Sequence, residues 1–252
     1  MKNEQIVQEN EYQFPYHYIP VLENGSFRQH FYWSWGFRYL GGMRVARELC
    51  FQEHFESLLD LGCGDGRFLK EMRLHTAGQR LVGIDYSERA ICLARALNPG
   101  TDYRCMNISK AELPDDRFDI VSLIEVIEHI PPDDLPEFIS VAANLLQPNG
   151  RLVITVPHTN QVVGKKHFQH FNSASLKELL DPHFSEIKFQ PFDFPSRVLG
   201  LWFRFLGRSG KVFLVTWPPL LKKFHGYYIR NCLIGTDEKK CQRIACVASN
   251  CE

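Results

Sequence analysis

Apolar runs of strand length alternate with segments of helical period between residues 57 and 160. "SLLDLG" is followed by a helical stretch over 67–74, "RLVGID" by one over 87–97 and "FDIVSLI" by one over 133–146, while "DYRCMNI" and "RLVITVP" complete the set of strands. Strands separated by helices of that length predict a parallel sheet with crossover helices on its faces. The boundaries carry their own signals. Ser87 is placed to cap the helix whose apolar stripe is Ala90, Ile91, Ala94 and Leu97, and Asn98-Pro99-Gly100 ends it. Asp133 or Asp134 is expected to cap the next helix, Pro136 falls near its first turn, and Pro148-Asn149-Gly150 stops it.

Past Val156 the alternation loosens. A polar loop over 158–172 leads into "SASLKELL", where Ser175 and Glu178 have capping-box spacing. "EIKFQPFDF" and "RIACVAS" read as two more strands, but about forty residues lie between them, too many for a hairpin loop. The pattern predicts an α/β chain with a seven-stranded, mostly parallel sheet in one domain over 1–252. Its parts are an aromatic N-terminal lid (1–50), a core (51–193 and 237–252) and a cap insertion (194–236).

Bulk composition agrees with one sizeable core, since 44% of the 252 residues are hydrophobic. Lys plus Arg and Asp plus Glu each number 29, so the overall balance does not point to a polyanion. The polar start "MKNEQIVQEN" lacks the apolar stretch of a signal peptide, and no run reaches the ~18 apolar residues of a membrane span, which predicts a soluble, cytoplasmic protein. Eight cysteines are scattered through the expected helices and strands, the distribution of reduced thiols. Cys241, Cys246 and Cys251 have neither a CxxC pair nor a histidine beside them, so no cysteine metal site is expected.

"LLDLGCGDGRF" is a strand, a glycine-rich turn and a helix start, the arrangement that lets backbone amides approach a ligand. Its G-x-G-x-G spacing departs from the dinucleotide fingerprint G-x-G-x-x-G, because Arg67 occupies the place of the third glycine. Asp60 before the turn and Asp65 within it suit a ligand with a free ammonium and oppose a pyrophosphate. Asp85 ends the next strand, where an acid accepts both hydroxyls of a ribose. Adenosine plus an amino acid is the ligand these groups describe.

Over about 57–183 the chain resembles the class I S-adenosylmethionine-dependent methyltransferases, small-molecule type, through the glycine turn, the ribose acid, "FDIVSLIEVIEHI", "LLQPNGRLVITVP" and "KHFQHFNSASLKELL". The resemblance implies S-adenosylmethionine as cofactor. It places Asp60, Gly62, Cys63 and Gly64 along the methionine moiety, Asp85 on the ribose, Tyr86 at the adenine, and Asn107-Ile108 where the family usually has an aspartate beside the adenine amine.

"EVIEH" follows the fourth expected strand, at the sheet position where ligands bind in open parallel sheets. Glu125 falls beside the cofactor, and Glu128 and His129 come about one helical turn later. In one reading the glutamates belong to the cofactor pocket and a histidine acts as base on an acceptor hydroxyl, with His129, His158, His167 and His170 as candidates. In that reading no metal is bound. In another, Glu125, Glu128 and His129, joined by His167 or His170, hold a divalent ion, an arrangement similar to the small-RNA 3′-end 2′-O-methyltransferases. Those enzymes carry an acidic, tryptophan-containing motif after the later histidine, where this chain has Phe171-Asn172-Ser173.

The insertion over 194–236 contains no acid, while seven cations are interleaved with aromatic residues. A basic, apolar surface favours an anionic or lipid-linked acceptor or peripheral contact with a membrane. Charge confined to one aromatic-rich segment is too small a footprint for nucleic acid. The expected activity is therefore methyl transfer to a small-molecule or lipid-linked acceptor at oxygen. The alternatives are a metal-dependent RNA ribose methyltransferase and a catalytically silent partner subunit.

Overall fold

A computed structural model of the chain describes residues 20–23, 25–28, 35–108, 116–208, 212–213 and 217–250. Most of the aromatic residues expected in the lid, including Tyr12 to Tyr18 and Phe31 to Trp33, lie outside that set. In chain order, a hairpin of β1 (Val21–Glu23) and β2 (Ser26–Arg28) precedes α1 (Trp35–Cys50). Then come β3 (Ser57–Leu61), α2 (Arg67–Arg73), β4 (Arg80–Asp85), α3 (Glu88–Leu97), β5 (Asp102–Cys105), β6 (Phe118–Ile124), α4 (Leu135–Asn144) and β7 (Leu146–Pro157). The chain continues with α5 (Ser173–Leu180), β8 (Glu186–Phe192), α6 (Arg197–Leu206), a small hairpin of β9 (Gly207–Arg208) and β10 (Val212–Phe213), α7 (Pro218–Asn231) and β11 (Arg243–Ser249).

Seven strands make one sheet in the order β5-β4-β3-β6-β7-β11-β8. β3 to β7 are parallel, and β11 alone runs against both of its neighbours. Strand order therefore reverses at β3, between β4 and β6. Alternation along the strands splits the core between the two faces. Leu58, Ile120 and Val153 pack with α1, α2, α3 and α7, while their neighbours Leu59, Val121 and Leu152 pack with α4 and α5. Because β11 is antiparallel, its first residue, Arg243, pairs with Pro157 at the end of β7. A residue opening the last strand is thereby brought to the edge where the parallel strands finish.

Two boundary expectations change. Ser87 caps α3 as expected, accepting the Ala90 amide at 3.1 Å. For α5, however, the capping pair is Asn172 with Ser175: the Asn172 side chain accepts the Ser175 amide at 2.9 Å and the Ser175 hydroxyl accepts the Asn172 amide at 3.0 Å. The helix begins three residues ahead of the expected box, so Ser175 fills the third position, and its short hydroxyl reaches back as a glutamate would. Pro148-Asn149-Gly150 lies within β7, not in a separate turn. Phe118 pairs with Leu146 and Ile120 with Arg151, so the triplet is a bulge where the strand enters the sheet.

α1 covers one face of the sheet through Phe37, Val45, Ala46 and Leu49. Its carboxyl end is held by a buried cation. Arg151 Nη2 donates to the carbonyl of Cys50, one of those an α-helix end leaves without a partner, at 2.7 Å, and to that of Glu53 in the following turn at 2.9 Å. Replacing Arg151 by methionine strands both carbonyls under the helix. The expected loss is about 2–4 kcal/mol in urea denaturation, and a change within 0.5 kcal/mol would show that Arg151 is not what anchors α1.

Candidate active site

The chain leaves β3 at Leu61 and turns through Gly62, Gly64 and Gly66, whose φ values are 75°, 53° and 79°. All are left-handed, the region glycine enters without steric cost. At Gly66 a Cβ would stand 2.4 Å from the Tyr103 hydroxyl. The third glycine of this turn thus serves close packing against Tyr103, which explains why Arg67 can occupy the position that a dinucleotide site reserves for glycine.

Backbone amides in the turn fix the acid on the neighbouring strand. Gly64 N–H donates to Asp85 Oδ2 at 2.9 Å and Ser87 N–H to Oδ1 at 2.8 Å, so Asp85 ties the turn after β3 to the turn after β4. Asp85 is 5% exposed, and Asp60, at the end of β3, only 2%. Burial lifts the Asp60 carboxyl to about 7, despite the opposing hydrogen bond from Ser122 Oγ at 2.7 Å. Cys63 is buried and its thiol is held well above the ordinary range by desolvation, so it lines the turn as an inert group. Tyr86 and Asn107 are exposed beyond the ends of β4 and β5, with Ile108 buried next to them.

At the end of β6, Glu125 adopts φ 57°, a left-handed conformation unusual for a residue with a side chain. Its Oε1 is buried without a hydrogen bond, and its Oε2 lies 3.5 Å from Arg243 Nη2. Glu128 follows in a single 3₁₀ turn, Ile127–His129, and is 1% exposed with Oε2 lacking a partner. Burial, and then the charge of Glu125, raises its carboxyl well above the usual range.

Carbonyl acceptors settle the histidine tautomers. His129 Nδ1 lies 2.8 Å from the Lys166 carbonyl and His170 Nδ1 lies 3.1 Å from the Gln161 carbonyl, so both nitrogens must carry hydrogen. His170 Nε2 is then an acceptor, and His167 Nδ1, 2.8 Å away, donates to it. In their neutral forms Nε2 is therefore the basic nitrogen of both His129 and His167. One ligand atom each from Glu128, His129 and His167 gathers within 4.8 Å. Burial, followed by the neighbouring His129 and Lys166, lowers the His167 pKa to about 3.

Two of the expected assignments meet particular surroundings. At His158, Nδ1 accepts the Asn160 amide at 3.0 Å, and Nε2 therefore donates to Glu238 at 3.1 Å. With Glu238 also accepting from the Ser173 amide and hydroxyl, His158 braces α5. Of the expected metal ligands, Glu125 turns toward Arg243 and His170 bonds to His167, so the convergent group is Glu128, His129 and His167.

Arg243 and Asp193 were missed in the sequence. Asp193, also left-handed at φ 60°, accepts Arg38 Nε at 2.6 Å and the Tyr228 hydroxyl at 3.0 Å, and Arg243 Nε lies 3.9 Å from it. One buried acid thus joins α1, α7 and β11 next to Glu125.

The profile of one family, described as a methyltransferase domain, matches residues 32–187. A probable S-adenosylmethionine-dependent methyltransferase of Mycolicibacterium smegmatis is 30% identical over 131 residues, 49% of this chain and 49% of the relative. A ubiquinone biosynthesis O-methyltransferase of Azotobacter vinelandii is 30% identical over 176 residues, 67% of this chain and 72% of the relative. In the first of these the chain spans about half the length of the curated relative it matches. Among solved structures, the N-methyltransferase NodS of Bradyrhizobium japonicum in complex with S-adenosylhomocysteine shares the fold at TM-score 0.57 and 15% identity, over 86% of this chain and 88% of that one.

The raised pKa of Asp60 has a definite sign in folding. The folded chain keeps the proton up to about pH 7, whereas the unfolded chain releases it near the ordinary aspartate value of about 4. Between those limits the folded state binds more protons, so stability falls as pH rises through that window, by up to about 4 kcal/mol for this group. Urea melts from pH 4 to 8 are expected to show Asp60→Asn gaining on the parent protein as pH rises. A constant difference across the range would refute the assignment.

Proposed function

The chain belongs to the class I S-adenosylmethionine-dependent methyltransferases, and from that premise we propose that it methylates an oxygen of a small-molecule or lipid-linked acceptor. The cofactor, when bound, supplies an electrophilic methyl group on a sulfonium. The residues present fit it. Three left-handed glycines open the backbone of the turn, Asp85 is held by two amides at the strand end where a diol would sit, and Asp60 is a buried acid that ionises readily beside a cation. Tyr86, Asn107 and Ile108 border the place for adenine, and Glu125 stands at the end of β6 where the methyl donor and the acceptor meet.

His129 carries the oxygen assignment. Its tautomer is fixed by the Lys166 carbonyl, which makes Nε2 the basic nitrogen that would take the proton of an acceptor hydroxyl. An unprotonated amine attacks through its own lone pair and needs no base in the transfer step, whereas a hydroxyl must shed its proton. His167 is the weaker choice, since a group that protonates only near pH 3 is a poor proton acceptor at pH 7. The name of the Azotobacter relative supports oxygen as the target atom.

A second reading is favoured by the convergence of Glu128, His129 and His167. A carboxylate with a buried, unpartnered oxygen and two neutral imidazoles fit a divalent ion of the Mn²⁺ or Mg²⁺ class. Such an ion would lower the pKa of a bound hydroxyl or hold a diol, the chemistry of a 3′-terminal ribose as well as of a catechol. A silent cofactor-binding subunit is the third possibility.

Transfer of labelled methyl to phenol and catechol acceptors, with amines alongside, tests the first reading. His129→Gln is expected to lower kcat by about 100-fold with the cofactor KM unchanged, whereas label entering amines, or undiminished turnover in the variant, overturns it. EDTA decides the second. Loss of turnover restored by Mn²⁺, together with Mn²⁺ binding by calorimetry that His167→Ala abolishes, is expected if the ion is used, and unchanged turnover in chelator removes it. Absence of label in every acceptor of a cell extract points to the silent subunit.

A further inference from the structure

Four apolar residues of α6, Val198, Leu201, Trp202 and Phe205, follow the i, i+3, i+4, i+7 spacing of one helical face. All face solvent: they are 49%, 57%, 46% and 75% exposed. The helix is anchored by a different side. Leu199 is buried, and Phe203 stacks on Phe37 of α1 with ring centroids 5.6 Å apart. Trp202 meets Phe224 of α7 at 5.6 Å, which fixes the outer face relative to the body of the protein. A folded surface does not ordinarily leave a contiguous apolar stripe of this kind in water.

We propose that α6 is a membrane-docking helix that lays this outer face on an anionic lipid surface. Charge selects the occupant. Arg197 and Arg204 are exposed along one margin of the stripe, and Lys222, Lys223 and Arg230 are exposed on α7. No acid occurs anywhere over 194–236, whereas the whole chain carries equal numbers of acids and bases. Trp217 is also exposed, at the start of α7, and the indole ring favours the boundary between headgroups and acyl chains. A second copy of the chain is a poorer occupant, because a two-fold contact would set this uniformly basic surface against itself. Among the described residues no helix is long and apolar enough to cross a membrane, so the contact is one that lies on the surface. Near an anionic leaflet each such cation strengthens partition about fivefold, and the apolar face supplies the insertion.

Docking is independent of methyl transfer, so its test is run on the full-length protein without acceptor. Co-flotation with vesicles of phosphatidylcholine containing about one third phosphatidylglycerol is expected, reversed by high salt and weak with phosphatidylcholine alone. Leu201→Ser/Phe205→Ser is expected to reduce binding at least about tenfold, and Arg197→Glu/Arg204→Glu by a similar factor, while calorimetric binding of S-adenosylmethionine stays at the parent value in both. Equal binding to neutral vesicles, binding undiminished in the variants, or no binding to any vesicle overturns the proposal. So does a salt-stable dimer by light scattering that Leu201→Ser/Phe205→Ser dissolves, which would assign the face to a second copy.

Discussion

A carboxylate taken out of water must find amides, a cation or a proton, and this fold buries Asp60, Asp85 and Glu128 at one end of one sheet. Parallel topology makes the crowding unavoidable. β3, β4 and β6 are neighbours that finish at the same edge, so acids placed at their ends share a small volume. Each acid is accommodated differently. Asp85 receives two backbone amides, Asp60 a hydroxyl and a proton held to near neutrality, and Glu128 is pushed toward its protonated form by burial and the charge of Glu125. The free protein consequently carries an electrostatic penalty that a cationic ligand relieves. A pyrophosphate would aggravate it, which is the physical reason a glycine turn of this kind serves a sulfonium compound and not a dinucleotide.

The histidine cluster follows from the same scarcity of partners. Backbone carbonyls can only accept, so Lys166 and Gln161 dictate where two of the three imidazoles carry hydrogen, and the third follows through its bond to His170. Burial then removes proton competition at His167. A neutral imidazole whose conjugate acid is so strong gives little as a base but everything a metal ligand needs. His129 and His167 are thus unequal despite sitting together, with ring centroids 4.9 Å apart.

Sheet, switch point and the burial of acids at the strand ends were legible because they rest on local rules: strand and helix periods, glycine at positive φ, and an acid at a strand end a fixed distance from the turn. Residues whose roles depend on a distant partner were not. His158 follows a strand end just as Asp85 does, yet its neighbours prove to be Asn160 and Glu238, the latter eighty residues on. Arg243 reads as an ordinary start of a strand until β11 is known to run backwards, which carries that residue to Glu125. The capping of α5 shows a finer limit, since Ser175 and Asn172 each have cap chemistry and only the position of the first helical turn assigns the roles.

The docking helix and the active site share their supports, and that bears on the acceptor. α6 rests on α1 through Phe37 and on α7 through Phe224. Both helices are bound to Asp193, by Arg38 from α1 and Tyr228 from α7, and Arg243 extends the same polar group to Glu125. Fixing α6 on a lipid surface therefore fixes the orientation of the body that carries the site, with no conformational change required. For an acceptor dissolved in water such an attachment brings no advantage and slows diffusion. For one that partitions into lipid it places the end of β6 at the boundary where that molecule resides, so membrane docking and a lipid-linked acceptor support each other, and a freely soluble acceptor would leave the exposed face of α6 without a use.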